Sequence, residues 1–278
     1  MDPEITFLEE ITCAIEKGEL VLPTLPEVAL QVQDAMEDDD VAIGAIAEII
    51  AADSALSARI MKAANSPLYR GKVAINSLSQ AVNRLGIKTV RSLVSSLVMQ
   101  QMFQSTSEGL DDLFRQVWAS SVQVAAISKV LAQQVSHLDA EQAMLAGLIH
   151  NLGVLPIITF SEERHDLVPN GIDLASLVEK HSPELGVRIT ESWGFSKSLV
   201  DAVSQSGDVH RDHQGKADYA DLVIVARLQS AANGDHPLAE IDWNEVPAFQ
   251  KIGMNPEISI IGIEGVAEQV DEVGELFN

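Results

Sequence analysis

Seven histidines and one cysteine carry most of this chain's capacity for metal or nucleophilic chemistry. The sharpest local pattern is Leu145-Ala-Gly-Leu-Ile-His150-Asn151-Leu-Gly153, a polar pair closing an otherwise apolar stretch. Two readings stay open for it. His150 is a core imidazole satisfied by hydrogen bonds, with Asn151 ending a helix ahead of Gly153. Alternatively the pair belongs to a site, or to the remnant of one, since imidazole serves as both ligand and proton carrier near neutrality. Four histidines, His165, His181, His210 and His213, fall together later in the chain. The last two lie in a polar stretch flanked by glycine and are expected to be solvated. Cys13 sits in an acidic amphipathic helix with no histidine near it in sequence, and reads as a small packing residue rather than a nucleophile. No Gly-rich phosphate loop and no Gly-x-Ser-x-Gly elbow occurs.

Charge supplies a second candidate. From Ser54 to Ser107 there is no Asp or Glu, while Arg59, Lys62, Arg70, Lys72, Arg84, Lys88 and Arg91 give the segment +7. The whole chain carries −23, so the remainder holds −30. Either these cations neutralise carboxylates elsewhere in the fold, or they form a face for an anion or an acidic partner. The spacing favours a mixture. Arg59 and Lys62 share a helix face, as do Lys88 and Arg91, while Arg70 and Lys72 lie in a loop that can reach outward. The −23 net charge argues against a phosphate-backbone or anionic-membrane binder.

The elements that must position these groups are helical. Hydrophobic residues make up 46% of 278 residues, and only 12 are aromatic, leaving Ala, Val, Ile and Leu to build the core. Mean hydropathy is +0.12, which excludes a disordered chain. Start signals recur: Thr24-Leu-Pro26-Glu27, Asp40 before Val41–Ala52, Ser54, Ser77, Asp139 with Gln142, Ser182-Pro183-Glu184, Ser196, Asp218 and Asn255-Pro256-Glu257. Asn65-Ser66-Pro67 should stop the helix after Ser54 and leave Tyr69 and Arg70 at or near the surface. Residues 112–134 read as one long amphipathic helix, and Ser105–Gly109 as a boundary between subdomains. The last helix is expected to run from Asn255 to the end. Asn170-Gly171 falls between helices. One cysteine allows no intramolecular disulfide and no cysteine-based zinc site, as in a reducing cytosol. The acidic opening lacks signal-peptide character, and apolar runs such as Val41–Ala52 are too short to span a bilayer. A cytoplasmic protein is expected.

Several stretches together resemble the HDOD domain family, helical relatives of the HD metal-dependent phosphohydrolases. Leu22-Pro-Thr-Leu-Pro26 resembles the family's opening motif. Ile49 to Tyr69, containing Asp53-Ser-Ala-Leu-Ser57-Ala-Arg59 and Ala64-Asn65-Ser66-Pro67, resembles its most recognisable block, with Ser54 where Pro is usual. Ile75 to Gly86, Phe114-Arg-Gln-Val-Trp118, Gly147 to Gly153, and Leu185-Gly186 through Trp193-Gly194-Phe195 are similar to later blocks. The resemblance covers residues 20–235. It implies an all-α fold, an N-terminal helical bundle packed on a degenerate HD-like bundle, and regulation rather than turnover.

The resemblance also implies where metal ligands would stand. The first histidine of an active HD site maps near Ser120, the His-Asp pair onto His150-Asn151, and an additional histidine onto His181. The later histidine pair maps onto Gln205-Ser206, and the closing aspartate onto Arg227. Only His150 and His181 keep their ligand type. Asn151 offers an amide for a carboxylate, and Arg227 replaces −1 with +1. At about 4 Å and an effective dielectric near 20, one unit-charge pair is worth ~4 kcal/mol, so the swap disfavours a dication by more than that. Asp221 lies about 120° from Arg227 around the helix, on another face. No metal and no cofactor are therefore expected. Ser120, His150, Asn151 and Arg227 would instead form a buried polar network.

These readings divide the chain into an N-terminal helical part, 1–107, a degenerate HD-like bundle, 108–235, and an acidic C-terminal extension, 236–278. The expected role is non-catalytic signalling through a protein partner or small ligand, with a homodimer possible and nucleic acid and membrane excluded. The alternatives are a phosphohydrolase with an altered site and an anion or nucleotide sensor.

Overall fold

The computed structural model describes residues 3–36, 38, 41–104, 108–164, 174–232, 236–263 and 265–277. Among these residues there are helices and turns and no strand, as expected for an all-α chain. The first half gives α1 (Pro3–Glu16), α2 (Glu27–Ala35), α3 (Ile43–Ala51), α4 (Ser54–Asn65), α5 (Leu78–Leu85) and α6 (Ile87–Met99). The second gives α7 (Glu108–Ala132), α8 (Ala140–Ile149), α9 (Val154–Glu163), α10 (Leu174–Ser192), α11 (Lys197–Gln205) and α12 (Tyr219–Ala231). α13 (Pro247–Ile252) and α14 (Val266–Gly274) follow, with short 3-10 turns between them.

Local chemistry explains most boundaries. Ser77 caps α5 by accepting from the Gln80 amide, and Asp139 caps α8 by accepting from Glu141 and Gln142. Asp218 and Asp221 form a reciprocal capping box on α12. Gly86 turns the chain between α5 and α6 at φ 78°, a conformation open chiefly to glycine. At α4 the cap is Asp53, not Ser54, because Asp53 Oδ1 reaches both the Ala55 and Leu56 amides. Pro26 precedes α2 without the expected hydroxyl cap. Asp40, Ser105 to Ser107, His165 and Asn170-Gly171 lie outside the described residues.

Three expectations about helices are corrected. α10 runs unbroken through Pro183 instead of starting there. Leu177, Leu185 and Ile189 are fully buried on both sides of it, and that packing outweighs the ~3 kcal/mol an interior proline costs. The chain after Asn255 is not one helix: it turns, forms a 3-10 segment Ile260–Gly262 and restarts at α14 after Gly265, whose φ of 79° breaks helical geometry. The stretch Ala140–Glu163 is long and apolar enough by composition to cross a membrane, contrary to the reading that apolar runs are too short. Its apolar 18-residue window is 83% buried inside the fold, and a turn at Asn151–Gly153 divides the stretch into α8 and α9.

One contiguous core runs from Leu25 through Phe277. α7 is its axis, packed mainly on α8, then on α12 and α14, while α2–α6 form a layer that reaches it through the α6–α8 contact. The C-terminal segment belongs to the same core: Phe277 meets Trp118 edge-on at 5.8 Å. α1 packs mainly outside 1–107. Phe7, Ile11 and Ala14 bury against Ile157, Phe160, Leu177 and Leu185 of α9 and α10.

Glycines let the helices around the α8 end touch. A Cβ on Gly147 would lie 2.5 Å from the Ala125 Cα, and one on Gly153 would lie 2.0 Å from the Ser182 carbonyl. Gly147→Ala should therefore destabilise the protein. Helix propensity favours alanine by about 1 kcal/mol, but overpacking costs about 1–3 kcal/mol or more, and here the clash is with backbone, which cannot step aside. Chemical denaturation is the check, and an unchanged or raised midpoint would contradict so close a helix crossing.

Candidate functional site

α8 ends at His150, placed as its C-terminal cap, and the Asn151–Gly153 turn carries the chain under α10 at Ser182 and Gly186. His150 Nδ1 lies 2.7 Å from the Gly147 carbonyl. It must donate there, which leaves Nε2 as the bare nitrogen. Burial, and then the nearby Arg227 guanidinium, push the imidazole's pKa down to about 3, while the Gly147 bond opposes the shift. His150 is therefore neutral at physiological pH.

Arg227 comes from α12. Its Nη1 donates to the Ser206 carbonyl at the end of α11. Burial lowers its pKa, and the Glu179 carboxylate of α10 acts in the opposite direction. A guanidinium thus stands in the electrostatic neighbourhood of His150, where the family resemblance places a metal-binding carboxylate. Asn151 completes the pair with a neutral amide. The Ser121 hydroxyl has one proton to give, to the Val117 carbonyl at 2.8 Å or to Asn151 Oδ1 at 2.9 Å.

The structure brings Arg227 near His150, which adjoins Asn151, with the Arg227 side chain bonded to Ser206, and it corrects the serine. Ser120 points to solvent, and Ser121, fully buried, holds Asn151. One residue is 100° on a helix, so a register read from sequence resemblance is easily one off. His181 is buried in α10. Gln205 is engaged elsewhere, its Oε1 accepting from Arg211 Nε at 2.6 Å. These donors do not fit a divalent cation, because a fixed +1 and an amide replace two anionic ligands.

A second polar cluster was missed at sequence level. Arg211 donates to Asp218 Oδ2 at 2.5 Å and to Asp221 Oδ1 at 3.0 Å, and His213 Nε2 lies 2.9 Å from Asp221 Oδ2. Asp221 is fully buried, and His213 is half-buried rather than solvated. His213, Asp218 and Asp221 have the proximity of a ligand set, but the Arg211 guanidinium is already paired with both carboxylates. The usable signal was Asp218 and Asp221 at the first and fourth positions of a capping box, preceded by Arg211.

A third cluster joins distant elements. Lys129 of α7, only 4% exposed, donates to Glu141 Oε1 at 2.6 Å and to the Tyr69 hydroxyl at 2.5 Å. Tyr69 donates to Glu141 Oε2 at 2.7 Å. Burial, and then Glu141, push the Tyr69 pKa up, and burial lowers that of Lys129. Asn65-Ser66-Pro67 ends α4, Arg70 is exposed and Tyr69 is half-buried near the surface, as expected, with its hydroxyl turned to this carboxylate.

The basic segment divides. Arg59 Nη1 donates to the Leu97 carbonyl at 2.9 Å and Lys62 to that of Glu275 at 3.0 Å. Arg84 holds the Ala64 and Val73 carbonyls. These cations are largely spent on backbone carbonyls, an outcome that neither sequence reading anticipated. Arg70, Lys72 and Lys88 are exposed and Arg91 is half-buried, and none of the four side chains has an ion pair or hydrogen bond among the described residues.

Comparison with known proteins fits this geometry. A crystal structure from Shewanella amazonensis SB2B, of a protein described as a candidate metal-dependent phosphohydrolase, superposes with TM-score 0.84 at 29% identity, covering 100% of both chains. An HDOD domain protein from Geobacter sulfurreducens gives TM-score 0.70 at 22% identity over 96% of this chain and 98% of its own, a likeness of fold. An uncharacterized protein of Treponema pallidum (strain Nichols) is 24% identical over 192 residues, 66% of this chain and 37% of that relative's length. This chain thus spans well under half of that relative. The family pattern of the HDOD domain matches residues 22–209, about two-thirds of the sequence, and the chain belongs to the HDOD domain family.

Proposed function

We propose that this chain is a regulatory HDOD protein that acts by binding a protein partner or small ligand and turns over no substrate. The observation that carries this reading is Arg227, a guanidinium beside a neutral His150 in the place of a metal-binding carboxylate. A dication there would meet +1 where the phosphohydrolase resemblance calls for −1. The Asn151 amide, held by Ser121, leaves no second anion to offset it.

The other reading, a phosphohydrolase with an altered site, draws support from the attribution of the Shewanella relative and from the bare Nε2 of His150. Elemental analysis of protein purified without chelator separates the two. Mn, Fe, Zn and Mg should all be far below one per chain, and p-nitrophenyl phosphate and its bis-ester should hydrolyse no faster than in buffer. Near-unit metal content that falls on His150→Ala substitution would establish the phosphohydrolase reading instead.

A further inference from the structure

We infer that the loop 66–77 and the start of α6 form a preformed docking face for a carboxylate-rich protein segment with apolar side chains. This deepens the binding reading above by giving it a surface and a partner chemistry. Four observations bring the face together. Asn65 brackets Ile75 with two 3.0 Å bonds. Arg84 of α5 holds the Val73 carbonyl. Tyr69 anchors on Glu141 of α8 at 2.7 Å, and the next residue, Gln142, donates to Ser92 of α6 at 2.8 Å. The loop and the first half of α6 therefore converge on the first turn of α8, where Arg70 and Arg91 each directly neighbour an anchored residue, Tyr69 and Ser92.

The loop is fixed at Tyr69, Val73 and Ile75, yet every residue from Arg70 to Ala74 is exposed. Holding the backbone in advance lowers the ordering cost of an encounter. Val73, next to Lys72, is 73% exposed. A free anion has no use for that valine, whereas a polypeptide can cover it while its carboxylates meet Arg70 and Lys72. Nucleic acid fits poorly, because the rest of the chain carries −30 around this face. The occupant that satisfies both features is an acidic segment with interspersed apolar residues.

The test uses the full chain and two fluorescent peptides, one of glutamates interspersed with leucines and one with serines replacing the leucines. The leucine peptide should bind, weaken at least tenfold between low and physiological salt, and weaken about tenfold or more in an Arg70→Glu, Lys72→Glu variant. Val73→Ser should abolish most of the preference for leucine over serine, a change of several-fold. None of these side chains supports another residue, so circular dichroism and thermal midpoint should stay unchanged. Binding indifferent to salt and to both variants would overturn the proposal, as would the absence of peptide binding. Preference for a duplex oligonucleotide, or self-association lost on charge reversal, would also overturn it by assigning the face to nucleic acid or to a second copy. Failure of the face would leave the metal and hydrolysis measurements standing, so the two readings fail separately.

Discussion

Exchanging Glu141 for glutamine should destabilise the protein by about 3–5 kcal/mol, the range for removing one partner of a buried ion pair. Glu141 is the carboxylate in direct contact with both other members of its cluster. It accepts from Lys129 at 2.6 Å and from Tyr69 at 2.7 Å. Glutamine keeps the shape but leaves an ammonium that is 4% exposed without its paired carboxylate, held by the neutral Tyr69 hydroxyl at 2.5 Å and facing the Tyr69 ring at 4.5 Å. The sign of the pH dependence follows. Burial already lowers the folded-state pKa of Lys129 from 10.5, and losing Glu141 removes the largest opposing influence and lowers it further. Below that folded value both states hold the proton and the full penalty applies. Between it and 10.5 the unfolded chain binds more protons, so stability rises with pH. The variant should thus regain stability on going from neutral to mildly alkaline pH more steeply than the parent. Readings should stop below pH 10, where Tyr69, with its raised pKa, begins to act in the opposite direction. Adding Lys129→Met to Glu141→Gln should recover much of the loss. Urea denaturation of the three proteins measures this, and a loss for Glu141→Gln under about 1 kcal/mol would show that the lysine is not buried as described.

Asp221→Ala should cost about 3 kcal/mol or more. The Asp221 carboxylate is fully buried. It serves Arg211 at 3.0 Å, His213 at 2.9 Å and the Asp218 amide at 2.9 Å. Its removal opens the capping box of α12, worth about 1 kcal/mol, and leaves the partly exposed Asp218 as the carboxylate paired with Arg211. α12 carries Arg227, so the loss should extend to the site around His150. A double-mutant cycle with Arg211→Met tests the cause. The pair should be less destabilised than the sum of the singles, with a coupling of about 0.5–3 kcal/mol. Additive losses would mean that Asp221 acts through the cap alone.

What was legible in the sequence was what short-range chemistry encodes. Helical spacing gave the fold class, because burying one face of a helix requires apolar residues every three or four positions. Ser77, Asp139 and Asp218 could be read as caps because a cap and the amide it serves lie two or three residues apart. The character of the candidate site was legible as residue types: no tertiary arrangement turns Asn151 or Arg227 into an anionic ligand.

Only the tertiary structure decided which residues meet. Tyr69 and Glu141 are 72 residues apart and Lys129 and Tyr69 are 60 apart, so no local period links them. The turn before Tyr69 put it near the surface, where it is half-buried, but nothing local named Glu141 as the partner of its hydroxyl. Ser121 rather than Ser120 holds Asn151 because a single helical step rotates the side chain from solvent into the core, and the choice depends on how α7 sits against α8. α1 packs on α9 and α10 because Phe7 and Ile11 find their complement there. Arg59 and Arg84 found carbonyls at helix ends and in a loop, acceptors that every residue carries and that no residue name reveals. Sequence fixes the chemistry each position brings, while helix rotation and chain reversal fix its partners, since contacts between side chains distant in sequence exist only once the helices have packed.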